Sequence, residues 1–192
     1  EPPMGEAANT TELAARIDDI LTWPQFAQLR EVAAGNLSLR YEDARAGRAW
    51  SVDGGRLEMT RKGDDLTVRG DFALLGARAY ATTLAMNYQR RIGETAAEFG
   101  VSFEDMPTRD IAGQSPALAW LGALDAPISG ALRASVDEAG ALGPLNATLT
   151  IGEGVLQPTE ATQPVAFSRA RVYFTYDPDD QAMRFDEITL ES

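Results

Sequence analysis

The chain is poor in the side chains that usually do chemistry. Cysteine and histidine are both absent, which removes thiolate nucleophiles, Ser-His-Asp and Cys-His triads, disulfides and the usual thiolate and imidazole metal sites. Carboxylates, tyrosines, hydroxyls and Lys62, the single lysine among 17 basic residues, are what remains. The densest acidic stretch is "TYDPDDQAMRF", where Asp177, Asp179 and Asp180 bring oxygen ligands close together. It lacks the glycine and the distal glutamate of a calcium loop, and Asp-Pro-Asp-Asp between two apolar runs reads as a hairpin turn. Glu104 with Asp105, and Asp186 with Glu187, are the pairs that could serve glycoside hydrolysis, which needs two carboxyls across a scissile bond. In a chain with 29 acidic residues such pairs arise by composition alone. No catalytic residue, metal ligand or cofactor site is therefore assigned.

The remaining local motifs also have plain explanations. Asn9, Asn36 and Asn146 fall in N-x-S/T triplets, which carry meaning only in a eukaryotic secretory pathway. Trp23, Trp50, Trp120, Tyr80, Tyr88 and Tyr173 could stack on sugars, but their spacing marks no row, and packing is the default role. A formal net charge of -12 sets the chain against nucleic-acid phosphates and anionic lipid surfaces. No stretch approaches the roughly 20 apolar residues that span a bilayer. The chain begins at Glu1 without a signal-peptide pattern and reads as an excised or processed piece, with any membrane anchor outside it.

The elements that would position a site follow from periodicity. After the polar lead "EPPMGEAANTT", Asn9 and Glu12 form an N-cap and N3 pair for an amphipathic helix carrying Leu13, Ile17, Ile20 and Leu21. Trp23-Pro24 interrupts it, and Pro24 opens a second short helix with Phe26, Leu29 and Val32, ending near Gly35. Residues 1–34 are thus read as a lead and amphipathic helices, and 35–192 as an antiparallel β domain.

From Gly35 the period becomes two. Strands are predicted in "NLSLRYED", "RAWSVDGG", the hairpin "GRLEMTRKGDDLTVRGDF", "ARAYATTLAMNYQRR" and "EFGVSFED", and again around Leu132, Leu149, Val172 and Ile188, giving about ten in a meander. Short helices are predicted near 107–123, where prolines flank Leu118, Trp120 and Leu121. Glycine precedes leucine by two positions at Gly35, Gly55, Gly130, Gly143 and Gly154, read as a turn or bulge just before a strand begins.

Alternation gives nearly every strand one apolar face. Leu37, Leu39, Leu57, Leu66, Val68, Leu132, Leu149, Ile151, Val172 and Phe174 are the candidate residues of that face. Its partner must be a second sheet, the N-terminal helices or an apolar ligand. A closed β-sandwich acting as a structural or interaction module, and a carbohydrate-active β protein using a carboxylate pair, are the alternatives to ligand shelter.

The segments Ser115–Pro158 and Pro164–Ser192, and in style the chain from Pro24 with its "GRLEMTRKGDDLTVRG" rhythm, are similar to the AsmA-like superfamily of Gram-negative envelope proteins, in its YhdP-type alphaproteobacterial branch. The resemblance implies one segment of a large periplasmic protein, anchored in the inner membrane by a helix outside this chain. It further implies an elongated, curved sheet forming a hydrophobic groove for phospholipid transfer or outer-membrane maintenance, without catalytic residues. Phospholipid or another apolar ligand and neighbouring segments of the full-length protein are the partners it implies. The N-terminal helices could themselves fold into such a groove and occupy it.

Overall fold

A computed structural model describes residues 16, 18–26, 28–43, 48–75, 81–112, 116–159 and 161–191. The Asn9 cap, Leu13, Ile17 and Tyr80 lie outside the described residues, as does the side chain of Trp50. A short helix, α1, covers residues 18–22, followed by a bend and turn at residues 23–26. The strands are β1 (Glu31–Asp43), β2 (Arg48–Lys62), β3 (Asp65–Leu75), β4 (Ala81–Arg91) and β5 (Ala97–Pro107), then β7 (Pro127–Val136), β8 (Leu145–Ile151), β11 (Arg169–Asp177) and β12 (Ala182–Glu191). Between them lie α2 (Thr108–Ala112), a 3-10 helix η1 (Pro116–Ala123) and the short strands β6 (Leu124–Asp125), β9 (Gly154–Leu156) and β10 (Val165–Phe167).

The fold is mainly β. Nine strands form one sheet in the order β1-β2-β3-β4-β5-β7-β8-β11-β12, and every neighbouring pair is antiparallel. The meander is broken twice, after β5 and after β8. These two insertions supply α2, η1 and a second sheet of order β10-β9-β6. Both leave the sheet at the same end of the strands, where Ile128, Ile151 and Ala170 pair in register. There Leu121, Ile111, Ala126 and Phe167 of the insertions pack with Phe103, Ile128, Leu149, Ile151, Val172 and Phe174 of the large sheet. The short helices near 107–123 thus form as the sequence predicts, because their apolar residues have a sheet face to bury against.

Three readings are corrected. The second N-terminal helix does not form: residues 23–26 and 28 are bend and turns, and β1 already begins at Glu31, so Val32 is a strand residue and Gly35 lies inside the strand rather than ending a helix. Val32 pairs with Met59, and the ladder outweighs the weak helical spacing of so short a segment. "RAWSVDGG" and "GRLEMTRK" are one strand, β2, because the shift at Gly54-Gly55 is a bulge that keeps pairing on both sides. Gly55 and Gly130 likewise sit inside strands, while Gly143 and Gly154 do stand just before or at a strand start. A Cβ on Gly130 would lie 2.5 Å from the Thr148 carbonyl oxygen, so that glycine serves close strand approach rather than strand entry.

Candidate functional site

In an antiparallel ladder, directly paired residues share a face, so the register assigns side chains to faces without further assumption. One row runs Leu57, Gly70, Met86, Val101, Leu132, Ala147, Phe174 and Phe185 from β2 to β12. The next runs Phe72, Leu84, Phe103, Gly130, Leu149, Val172 and Ile188. Towards one strand end lies the row Met59, Val68, Tyr88, Phe99, Ala134. Towards the other lies Ile128, Ile151, Ala170, Leu190. Leu37 pairs with Gly55 and Leu39 with Val52, which carries the face onto β1. All ten candidate residues therefore share one apolar face.

That face is divided. Leu149, Ile151, Val172 and Phe174 lie beneath the insertion cover, with Leu149 only 1% exposed. Leu37, Val68 and Leu132 are half-buried, and Leu57 and Leu39 are exposed, Leu39 at 64%. On the far edge, Ile188 and Leu190 are exposed at 62% and 60%. Withholding a leucine-sized side chain from burial forgoes about 1.5–3 kcal/mol, so this much open apolar surface is costly to the isolated fold.

Leu66, the tenth candidate, is buried at the opposite strand end, in the row Arg61, Leu66, Arg90, Ala97, Val136. Here α1 lies on the face. Arg90 forms a two-pronged ion pair with Asp18, the Gly93 N–H donates to the same carboxylate at 3.1 Å, and Arg61 Nη1 donates to the Leu21 carbonyl at 3.0 Å. Leu21 is buried. The helix thus caps one end of the apolar face, while the insertion cover closes the diagonally opposite end. Between them on β2–β4, Leu57 is exposed and Met59, Val68, Phe72, Leu84 and Met86 are half-buried. Tyr88, next to Arg90 on the same strand face, has its hydroxyl pushed above its ordinary 10.0, first by burial and then by Asp18, with Arg90 opposing.

Sequence reasoning missed the two arginines of this row. Their signal was present, since Arg90 is in phase with Leu84, Met86 and Tyr88, and Arg61 with Leu57 and Met59. A cation at an apolar-phase position needs a buried acceptor, and Asp18 is that acceptor for Arg90.

The other face is polar and small: Arg69, Asn87, Gly100, Arg133, Asn146, Thr175 and Arg184 form one of its rows. It carries an open depression of about 560 Å³ lined by Asp71, Thr83, Ser102, Glu104 and Ser129, among others. The two acidic pairs do not come together. Glu104 and Asp105 lie on β5 and Asp186 and Glu187 on β12, four strand steps or roughly 19 Å apart. Glu104 accepts a hydrogen bond from Thr83, and Asp105 sits in a left-handed conformation with φ 55° at a bulge.

Asp177 is a turn residue, its Oδ1 accepting the N–H groups of Asp179 at 3.0 Å and Asp180 at 3.4 Å. Among the described residues no three acidic side chains group as a metal site. Among the described residues the aromatic side chains form no platform: Trp120 meets Phe185, Trp23 meets Phe26, and Tyr88 and Tyr173 lie on opposite faces. No helix among the described residues is long and apolar enough to cross a membrane. No known protein family, curated protein or solved structure matches the chain.

Proposed function

We propose that this chain is a non-enzymatic segment of a periplasmic AsmA-like envelope protein, whose apolar sheet face shelters lipid acyl chains during phospholipid transfer or outer-membrane maintenance. The observation that carries the reading is the apolar face on β1–β4, exposed at Val32, Leu39 and Leu57 and half-buried at Met59, Val68 and Met86, flanked by α1 at one corner and the insertion cover at the other. An acyl chain laid there buries its methylenes at about 0.8 kcal/mol each, while a headgroup at the margin stays in water. In this reading the sheet curves into a groove, continues into neighbouring segments of the full-length protein at its open edges, and reaches the inner membrane through an anchor outside this chain.

The test is native mass spectrometry of the purified chain followed by lipid extraction, with Leu57→Asp alongside. Leu57 is exposed on this face, so the substitution alters the face while sparing the core. Phospholipid recovered from the parent and lost from a folded Leu57→Asp supports the reading. A parent that carries no lipid and takes none from vesicles overturns it in favour of an interaction module, for which the small sheet β10-β9-β6 already covers one end of the face.

A further inference from the structure

Arginines are unexpected on an apolar sheet face. Arg61 and Arg90 nevertheless flank Leu66 in one cross-strand row, their backbones two strands or roughly 10 Å apart. The Arg90 side chain is only 3% exposed. Its charge is balanced by Asp18, which also takes the Gly93 N–H, and Arg61 is drawn to the carbonyl of Leu21. Asp18 and Leu21 belong to α1, while Arg90 Nη1 also donates to the Glu94 carbonyl at 3.4 Å and Arg61 Nε to the Gly63 carbonyl at 2.9 Å.

Among the described residues of α1 Leu21 is buried, whereas Ile20 at 43% and the following Trp23 at 45% face outward. Two arginines that rise from the sheet add polar contacts to α1. A guanidinium in so buried a position calls for an anion beside it, and Asp18 fills that position.

We propose that Arg90, the Gly93 N–H and Arg61 form a headgroup site for an anionic amphiphile, a carboxylate or phosphate on an acyl chain, and that Asp18 of α1 occupies it as an internal competitor. The proposal rests on the shelter reading, because the acyl chain then runs from the arginine row onto Val68, Met59 and the uncovered rows beyond. The net charge of -12 repels anions from the molecule at large, so recognition is confined to this row.

The test uses a fluorescent hexadecanoate and its methyl ester, at pH 8, with the full chain. Asp18→Asn removes the competing charge and keeps the side chain's shape. Hexadecanoate affinity is expected to rise about tenfold in Asp18→Asn, as the fraction of arginine sites free of the competing carboxylate grows, with the ester changing less than about twofold. A rise shared equally by the ester, or no rise for either, overturns the headgroup site.

Arg61→Gln provides the converse test without touching the buried pair. It should weaken hexadecanoate and spare the ester, and an equal loss for both overturns the proposal. Ester binding to the parent reports on the shelter reading alone. An ester that binds without any preference for the acid removes the headgroup site and leaves the shelter, whereas failure of both probes removes both.

Discussion

The indole of Trp120 meets the ring of Phe185 edge-on, with centroids 5.8 Å apart and planes at 82°. Phe185 also lies 5.9 Å from Phe174, so this one aromatic chain links η1 to the edge strand β12 and to the core. Beyond it Ile188 and Leu190 of the same strand face are open. Phe185 thus adds two aromatic contacts to the ladder that pairs the edge strand with β11. Phe185→Ala should lower stability by about 1–2 kcal/mol, the loss of two aromatic contacts at a half-open site, as read by urea unfolding. A change within a few tenths of a kcal/mol would mean that the ladder alone holds β12.

Leu149 and Leu39 lie on one face of one sheet and should respond oppositely to the same substitution. Leu149→Asp buries a carboxylate in the core and should prevent folding, whereas Leu39→Asp, at an exposed position on β1, should change stability by less than about 0.5 kcal/mol. Thermal melts of the two proteins side by side check this.

Two glycines should likewise diverge. An added Cβ at Gly130 meets the Thr148 carbonyl oxygen and, at 2.7 Å, Leu149 Cδ2, and the backbone contact cannot rotate away. Gly130→Ala should cost about 1–3 kcal/mol. Gly35→Ala has open space within 4 Å and should be close to neutral by the same denaturant titration.

Asp177 organises the β11–β12 hairpin through its two accepted N–H groups. Asp177→Ala should cost about 1 kcal/mol, and millimolar calcium should leave the melting temperature of the parent unchanged. A melting temperature that climbs with calcium would reinstate the acidic turn as a cation site.

Tyr88 gives the fold an alkaline dependence. Its folded pKa is raised above 10.0, so the native state holds the phenolic proton more tightly than the unfolded chain does. That contribution is fully present below pH 10 and is lost as pH rises through the folded value. Stability should therefore fall more steeply above pH 10 in the parent than in Tyr88→Phe, measured by denaturant titration across that range.

Much of the sheet was legible because its information is local. A period of two in Leu37/Leu39, Leu66/Val68 or Val172/Phe174 assigns faces residue by residue, and all ten candidates do share a face. The Asp177 turn is equally local, an acceptor two residues from its donor. What lay beyond reach depends on partners distant in the chain. Whether Phe26–Val32 becomes a helix turns on a strand partner at Met59, and the energy of that ladder is absent from the segment's own spacing.

The division of the face was decided in the same way. Leu57 and Leu149 carry identical side chains at equivalent phases of their strands, yet one is exposed and the other buried. The difference comes from two insertions that fold back over one strand end only. Arg90 stands in an apolar phase that alternation reveals, but its acceptor Asp18 is 72 residues away. Periodicity determines which way a side chain points, because that is a property of the backbone. What covers it is settled only when distant elements compete for the same surface.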